Sequence, residues 1–204
     1  MSEAYINHHL RRWFYSGKEL YSVIDAGMGF GKIGFMLRIN FPDVRMSIYG
    51  YDVFEKGITF SKNLGRAYHK VAILDIESSA FPHKDQVVDI GLCIGVLGHL
   101  EKEGGYHLIR ELKRTCKNVI VTAPTTFYQH TNPLNDPHIE PLRHKSKWSV
   151  ADLKRQGFEV RGFELRWRSN KVTYLDYVLS PWVFRFPSLS GGLVAWTSRG
   201  RQNY

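Results

Sequence analysis

Acidic residues are scarce in this chain: its 204 residues hold 19 Asp and Glu against 28 Lys and Arg, a formal charge of +9. Such a surplus speaks of partners rather than of fold. It favours nucleic acid, an anionic lipid surface, or a phosphorylated or carboxylated substrate. Cysteine is scarcer still, with Cys93 and Cys116 only. Two thiols without metal-ligand spacing exclude a disulfide-stapled secreted scaffold and a cysteine-built zinc cluster. They read as reduced thiols, Cys93 buried in a strand. No apolar run reaches the roughly 18 residues that a membrane-spanning helix needs. The N-terminus lacks a signal-peptide pattern, so a cytoplasmic location is expected. Internal repeats and low-complexity segments are missing too. The hydrophobic content of 43% is that of an ordinary globular protein. The length suits one α/β domain over residues 1–204.

What is present is concentrated at one turn. Asp25-Ala26-Gly27-Met28-Gly29-Phe30-Gly31 follows a short apolar strand, Ser22-Val23-Ile24, and leads into a helix starting near Lys32. Alternate glycines let the backbone turn sharply and let a ligand approach where a Cβ would stand. The following helix aims its free N–H groups at whatever sits over the turn. Three cofactor classes compete for such a cradle. A phosphate-binding P-loop is rejected, because Gly27 to Lys32 is one residue short and Ile33 stands where its hydroxyl belongs. A dinucleotide fingerprint can be read at Gly29, Gly31 and Gly34, with Asp52 for a ribose. The third class is S-adenosylmethionine (SAM). Asp25, Gly27, Gly29 and Gly31 match D-x-G-x-G-x-G position for position, and the chain resembles the class I SAM-dependent methyltransferases, which carry that motif after their first strand. A glycine-rich turn with no ligand is the plain structural alternative.

Strands and helices alternate along the chain. An N-terminal helix is expected up to about residue 20, with Leu10, Trp13 and Phe14 on one side. Strands are expected at 22–26, 46–51, 71–74, 87–94 and 118–123, and helices at 31–40, from 53 to about 63, and 105–116. Strand 87–94 is a near-continuous apolar run, as in a central parallel strand. Phe158–Phe163 reads as strand six and Leu193–Trp196 as strand seven. The expected class is α/β: a Rossmann-like three-layer sandwich with a mostly parallel seven-stranded sheet and an antiparallel last strand.

Acids close successive strands: Asp25 the first, Asp52 the second, Asp75 the third. Ligands of such sheets bind beyond the carboxyl ends of the strands. The resemblance implies that Asp52 holds the ribose diol, with Val53 on the adenine. It gives the exocyclic amine to Asp75, with Ile76 enclosing the ring, and adds Ile94 to the cofactor set. Helix capping by Asp52 and a loop-start role for Asp75 are the structural readings beside these. The stretch Ile94-Gly95-Val96-Leu97-Gly98-His99-Leu100-Glu101 resembles the small-molecule and sugar branch of the family. The Asn/Asp-Pro-Pro-aromatic motif of base-modifying relatives is missing, so nucleic acid is not the expected acceptor. An oxidoreductase reading is weakened, because no Tyr precedes a Lys by four positions.

Residues 124–148 are rich in proline and histidine and read as a substrate loop. His144-Lys145-Ser146-Lys147-Trp148 resembles an H-x-S-x-W segment of the same branch. Trp148 is expected to pack the loop down, and Ser149 to cap a helix over 150–156. His99 and His144 are the candidate bases, each with a structural role as the alternative. No metal site is expected, since His130, His138, Glu140 and His144 match no familiar ligand spacing. Nine basic residues against three acids between Arg143 and Lys171 point to an anionic acceptor. Residues 170–190 are aromatic-rich and read as a packed insertion or lid, an oligomer contact, or a shallow membrane contact. The expected function is SAM-dependent O- or N-methylation of a small-molecule or glycoconjugate acceptor. The alternatives are an NAD(P)-dependent oxidoreductase and a non-catalytic SAM-fold binding subunit.

Overall fold

The computed structural model describes residues 2–63, 67–127, 143–165 and 174–197. In chain order the elements are α1 (Ser2–Phe14), β1 (Tyr21–Ala26), α2 (Lys32–Asn40), β2 (Met46–Asp52), α3 (Glu55–Asn63), β3 (Lys70–Ile73), β4 (Val88–Cys93), α4 (Lys102–Thr115), β5 (Cys116–Pro124), α5 (Val150–Arg155), β6 (Phe158–Leu165), α6 (Tyr174–Arg185) and β7 (Ser190–Thr197). The sheet order is β3-β2-β1-β4-β5-β7-β6. The first five strands run parallel, and β7 lies antiparallel between β5 and β6.

Strand periodicity explains the three layers. Neighbours on one strand point to opposite faces. Val23 and Ile120 therefore join one buried cluster, with Ile6, Leu10 and Phe14 of α1 and Leu37 of α2. Ile24, Val119 and Val121 join the other, with Leu108, Ile109 and Leu112 of α4. Strand β4 is buried along its whole length, as its unbroken apolar run requires. Chain direction across the sheet reverses between β1 and β4. Their carboxyl ends therefore flank the crevice where doubly wound sheets take ligands.

Three elements depart from expectation, for identifiable reasons. Helix α1 ends at Phe14 rather than near residue 20, because the chain turns out of the helix through Gly17, at a left-handed φ of 90°. Helix α4 starts at Lys102 rather than near Gly105. The Gly104-Gly105 pair looks like a helix breaker, but a Cβ on Gly105 would stand 2.5 Å from the Trp148 ring. The helix accepts glycine there so that Trp148 can pack against it. The aromatic segment after β6 is helical from Tyr174 to Arg185 despite Pro181. An interior proline costs about 3 kcal/mol. Packing offsets this: Val183 is buried, Phe184 stacks on Tyr5 at 4.6 Å, and Gly162 lets the α6 backbone approach β6. Ser149 caps α5 in a full capping box with Asp152.

Candidate active site

The glycine turn leaves β1 with Gly27, Gly29 and Gly31 at φ 77°, 52° and 87°, a region closed to most side chains. Its first two N–H groups, of Gly27 and Met28, donate to the Tyr51 carbonyl of β2. A Cβ on Gly29 would meet nothing within 4 Å, so this residue faces open space above the turn. From behind, α3 presses its own backbone on the turn. A Cβ on Gly57 would stand 2.3 Å from the Gly29 carbonyl oxygen. Helix α2 then starts with no cap from the side chain of its N-cap residue, Gly31; the Gly34 N–H is taken by the Tyr68 hydroxyl, which leaves the Lys32 and Ile33 amides for a ligand.

Asp52 is wired into the same turn. One carboxylate oxygen accepts from the Gly29 N–H at 2.7 Å, the other from the Phe54 N–H at 2.9 Å. Each oxygen keeps capacity for a second hydrogen bond, which suits a vicinal diol. Val53 beside it is 59% exposed. Asp75 lies two residues beyond the end of β3. It is exposed and accepts from Ser78 Oγ at 2.6 Å and from the Glu77 N–H at 3.0 Å. The Ser78 hydroxyl, then the Glu77 amide, hold its carboxyl below the ordinary value. Ile76 is buried in the cluster that holds Tyr51 and Phe81, while Ile94, just past β4, is half-buried.

Asp25 sits differently. It is 1% exposed and accepts a 2.6 Å hydrogen bond from the Tyr68 hydroxyl, which in turn accepts from the Gly34 N–H. The Tyr68 ring is wedged among Gly31, Gly34 and Gly50. Asp25 thus faces this tyrosine, and its contact with the cradle runs through the backbone. Burial pushes its carboxyl up to about 7; the Tyr68 hydrogen bond opposes the shift and the Asp52 charge adds to it. The fold therefore holds a proton between about pH 4 and the folded value that the unfolded chain has lost. Stability contributed at Asp25 is fully present below that window and drains away as pH rises through it. Asp25→Asn should raise the melting temperature relative to the parent by an amount that grows from pH 5 to 8 and vanishes near pH 4. Thermal melts across that range check this; a pH-independent difference would contradict it.

The second wall of the crevice follows β4. Gly95, at φ 72°, donates its N–H to Thr122 Oγ1 at 2.7 Å. Val96 packs against Gly27, where a Cβ would stand 2.3 Å from it. Residues 143–148 are clamped onto this wall. The Gly98 carbonyl accepts from the Lys145 and Ser146 N–H groups, and the Leu97 carbonyl accepts from Ser146 Oγ and Trp148 Nε1. Trp148 is 1% exposed and carries the Lys102 ammonium 3.8 Å from its ring centre. It packs the segment down, as the sequence suggests. The clamp brings His144 to His99, ring centres 4.9 Å apart at 69°. His99 Nδ1 lies 3.3 Å from the Arg143 carbonyl oxygen.

A cavity of about 140 Å³ opens beside Gly95, lined by Gly98, Thr122, Pro124, His144 and Glu164 among others. Of the two candidate bases only His144 lines it. Among the described residues, no group of three or more His, Cys, Asp or Glu is placed to hold a metal ion, and no helix is long and apolar enough to cross a membrane. His130, His138 and Glu140, with most of the expected substrate loop, lie outside the described residues. Of the aromatic segment, Trp182, Phe186 and Leu189 are exposed.

A mostly parallel seven-stranded sheet with a glycine cradle after its first strand and an acid after its second defines the class I methyltransferase fold. Residues 24–119 match a family model described as a methyltransferase domain. The solved structures agree in fold. One is a SAM-dependent methyltransferase from Archaeoglobus fulgidus, 18% identical, covering 97% of this chain and 94% of that one, with a TM-score of 0.59. Another is the N-terminal domain of EvdMO1 in the presence of S-adenosylhomocysteine (SAH) and D-fucose, 15% identical over 97% and 83%, TM-score 0.61. The small RNA methyltransferase HEN1 is 18% identical, TM-score 0.58; the match spans this whole chain but 26% of HEN1. No curated protein matches in sequence. The domain match and the shared fold indicate a class I SAM-dependent methyltransferase, with SAM as the cofactor they point to. The cradle fits that group, with open space over Gly29, free acceptor capacity on Asp52 and an exposed apolar Val53.

Tyr68, Gly57, Thr122 and Glu164 escaped the sequence reading. Gly57 left a trace, since glycine inside a helix costs about 1 kcal/mol against alanine and asks for a reason. Tyr68 left none, because its partner Asp25 is 43 positions away.

Proposed function

We propose that the chain transfers the methyl group of SAM to an oxygen or nitrogen on a small-molecule or glycoconjugate acceptor that enters the cavity by a single ring or smaller end. The cavity beside Gly95 carries this reading. Its roughly 140 Å³ is close to the volume, about 150 Å³, that accommodates benzene in an engineered protein cavity. The fold neighbour crystallised with SAH and D-fucose fits the same acceptor class.

When bound, SAM supplies an electrophilic methyl group on a sulfonium. In this reading Asp25, Gly27, Gly29 and Gly31 shape the cradle, Asp52 accepts from the ribose, and Val53, Asp75, Ile76 and Ile94 surround the base and its edge. Thr122 fixes Gly95 and with it the wall between cradle and cavity. Holding both reactants in attack geometry supplies much of the acceleration. His144 accepts the acceptor's proton, and His99 supports its ring from outside the cavity. Arg143, Lys145 and Lys147 are exposed on the segment leading away from the cavity, and an anionic portion of the acceptor would lie against them.

The test is a methyl-transfer assay with isotopically labelled SAM on a panel of monocyclic alcohols, amines and glycosides, with oligonucleotides as the contrasting class. Labelled small-molecule products are the expected result. Label in the oligonucleotides alone would overturn the acceptor class.

A further inference from the structure

Helix α6 has an inner side that the fold fills and an outer side that it leaves bare. Inward, Val183 is buried, and Phe184 stacks on Tyr5 with the Arg161 guanidinium 5.5 Å from its ring centre. Outward, Trp182 and Phe186 stand one turn apart with nearly parallel rings, centres 6.0 Å apart. Trp182 is 63% exposed, Phe186 47%, and Leu189, just beyond the helix, 52%. Pro181, Trp182, Arg185 and Phe186 line one open hollow. Exposed apolar side chains scattered singly are ordinary. A stacked aromatic pair with a leucine close behind it is a patch, and a patch of this kind marks a contact surface.

Charge decides what covers it. Arg185 is the one charged residue in the sequence between Pro181 and Thr197, and it is exposed in the hollow beside the two rings. The chain as a whole carries +9. We propose that this end of α6 is a membrane-docking surface that seats the protein on an anionic phospholipid bilayer. Trp182, Phe186 and Leu189 enter the layer between head groups and acyl chains, and Arg185 stays among the phosphates. Tryptophan suits that layer, since its ring is apolar and its N–H finds a polar partner there. Each basic group near an anionic surface adds attraction, and the net charge draws the whole molecule toward it. A second copy of the chain fits less well, because a two-fold contact through this patch would bring two Arg185 side chains and two +9 molecules together. The patch also runs on into the cavity wall: Ser190 follows Leu189, and Gly191 and Gly192 line the cavity beside Gly95. Docking does not depend on what that cavity accepts.

The test is flotation of the full chain with vesicles of phosphatidylcholine alone and of phosphatidylcholine mixed with phosphatidylglycerol. Half-binding should take about tenfold less lipid in the mixed vesicles than in the neutral ones. Trp182→Ser combined with Phe186→Ser should raise the mixed lipid needed by about tenfold or more, and Arg185→Gln by about fivefold, with SAH affinity unchanged. A second arm needs no loss of binding. Brominated lipid in the mixed vesicles should quench part of the parent's tryptophan emission, and Trp182→Phe should remove that quenchable part. No flotation of the parent overturns the assignment, as does flotation that the Ser pair leaves unchanged or quenching that survives in Trp182→Phe. If the Ser pair lowers the melting temperature, the quenching arm decides. Light scattering in lipid-free buffer tests the competing occupant. A dimer that the Ser pair turns into a monomer would make the patch a contact between copies of the chain, and would overturn the assignment too.

Discussion

Gly29→Val is expected to abolish cofactor binding, with calorimetry showing a Kd for SAM and SAH raised by about a hundredfold or more. Two effects combine. A β-branched residue does not adopt φ 52° without strain. Its side chain would also fill the open space over the turn, where a Cβ now meets nothing. Any relaxation of the backbone moves the Gly29 N–H away from Asp52, so the ribose acceptor loses its fixed position as well. Gly17→Val is the control. Gly17 has φ 90° and an equally open Cβ direction, but lies before β1, at the other end of the strand from the turn. It should lower the melting temperature and leave SAH affinity intact. Equal losses of affinity in both variants would mean that strain, and not the cradle, governs binding.

His144→Ala should lower turnover by about 10²–10⁴-fold while SAH affinity stays within about twofold, as expected for loss of a general base. His99→Ala should cost less, since His99 does not line the cavity and meets His144 edge to face. Steady-state rates on the first acceptor found, with SAH calorimetry beside them, check both. The reverse order would exchange the roles. Near-parental rates in both single variants and the double would leave positioning as the whole of catalysis, which an already nucleophilic amine acceptor permits.

Legibility tracked sequence distance. The glycine turn could be read because its residues are contiguous and its chemistry needs little beyond them. The sheet could be read because each strand declares its burial through its own apolar pattern, β4 most plainly. Asp25 shows the limit. Its place at a strand end was readable, but which way its carboxylate turns depends on Tyr68, a residue from the far side of β2 and α3. The same holds for His144. The H-x-S-x-W segment could be noticed, whereas its seat depends on backbone carbonyls of Leu97 and Gly98, some 45 to 50 positions earlier. Helix α6 was missed because Pro181 reads locally as a breaker, and the contacts that tolerate it come from α1 and β6.

The seating of β7 between β5 and β6 sets an order of events during synthesis. The five parallel strands, with the glycine turn and Asp52, are complete before the ribosome reaches β6. Strand β6 has no neighbour in the sheet other than β7, so it must wait for a partner made after it. Gly191 and Gly192, which close one side of the cavity, belong to that late strand. A nascent chain can thus assemble its cofactor half early, while the pocket for the second substrate forms last, in the step that zips three strands together at once. A chain halted before Ser190 would carry the cradle and have nowhere to put the acceptor.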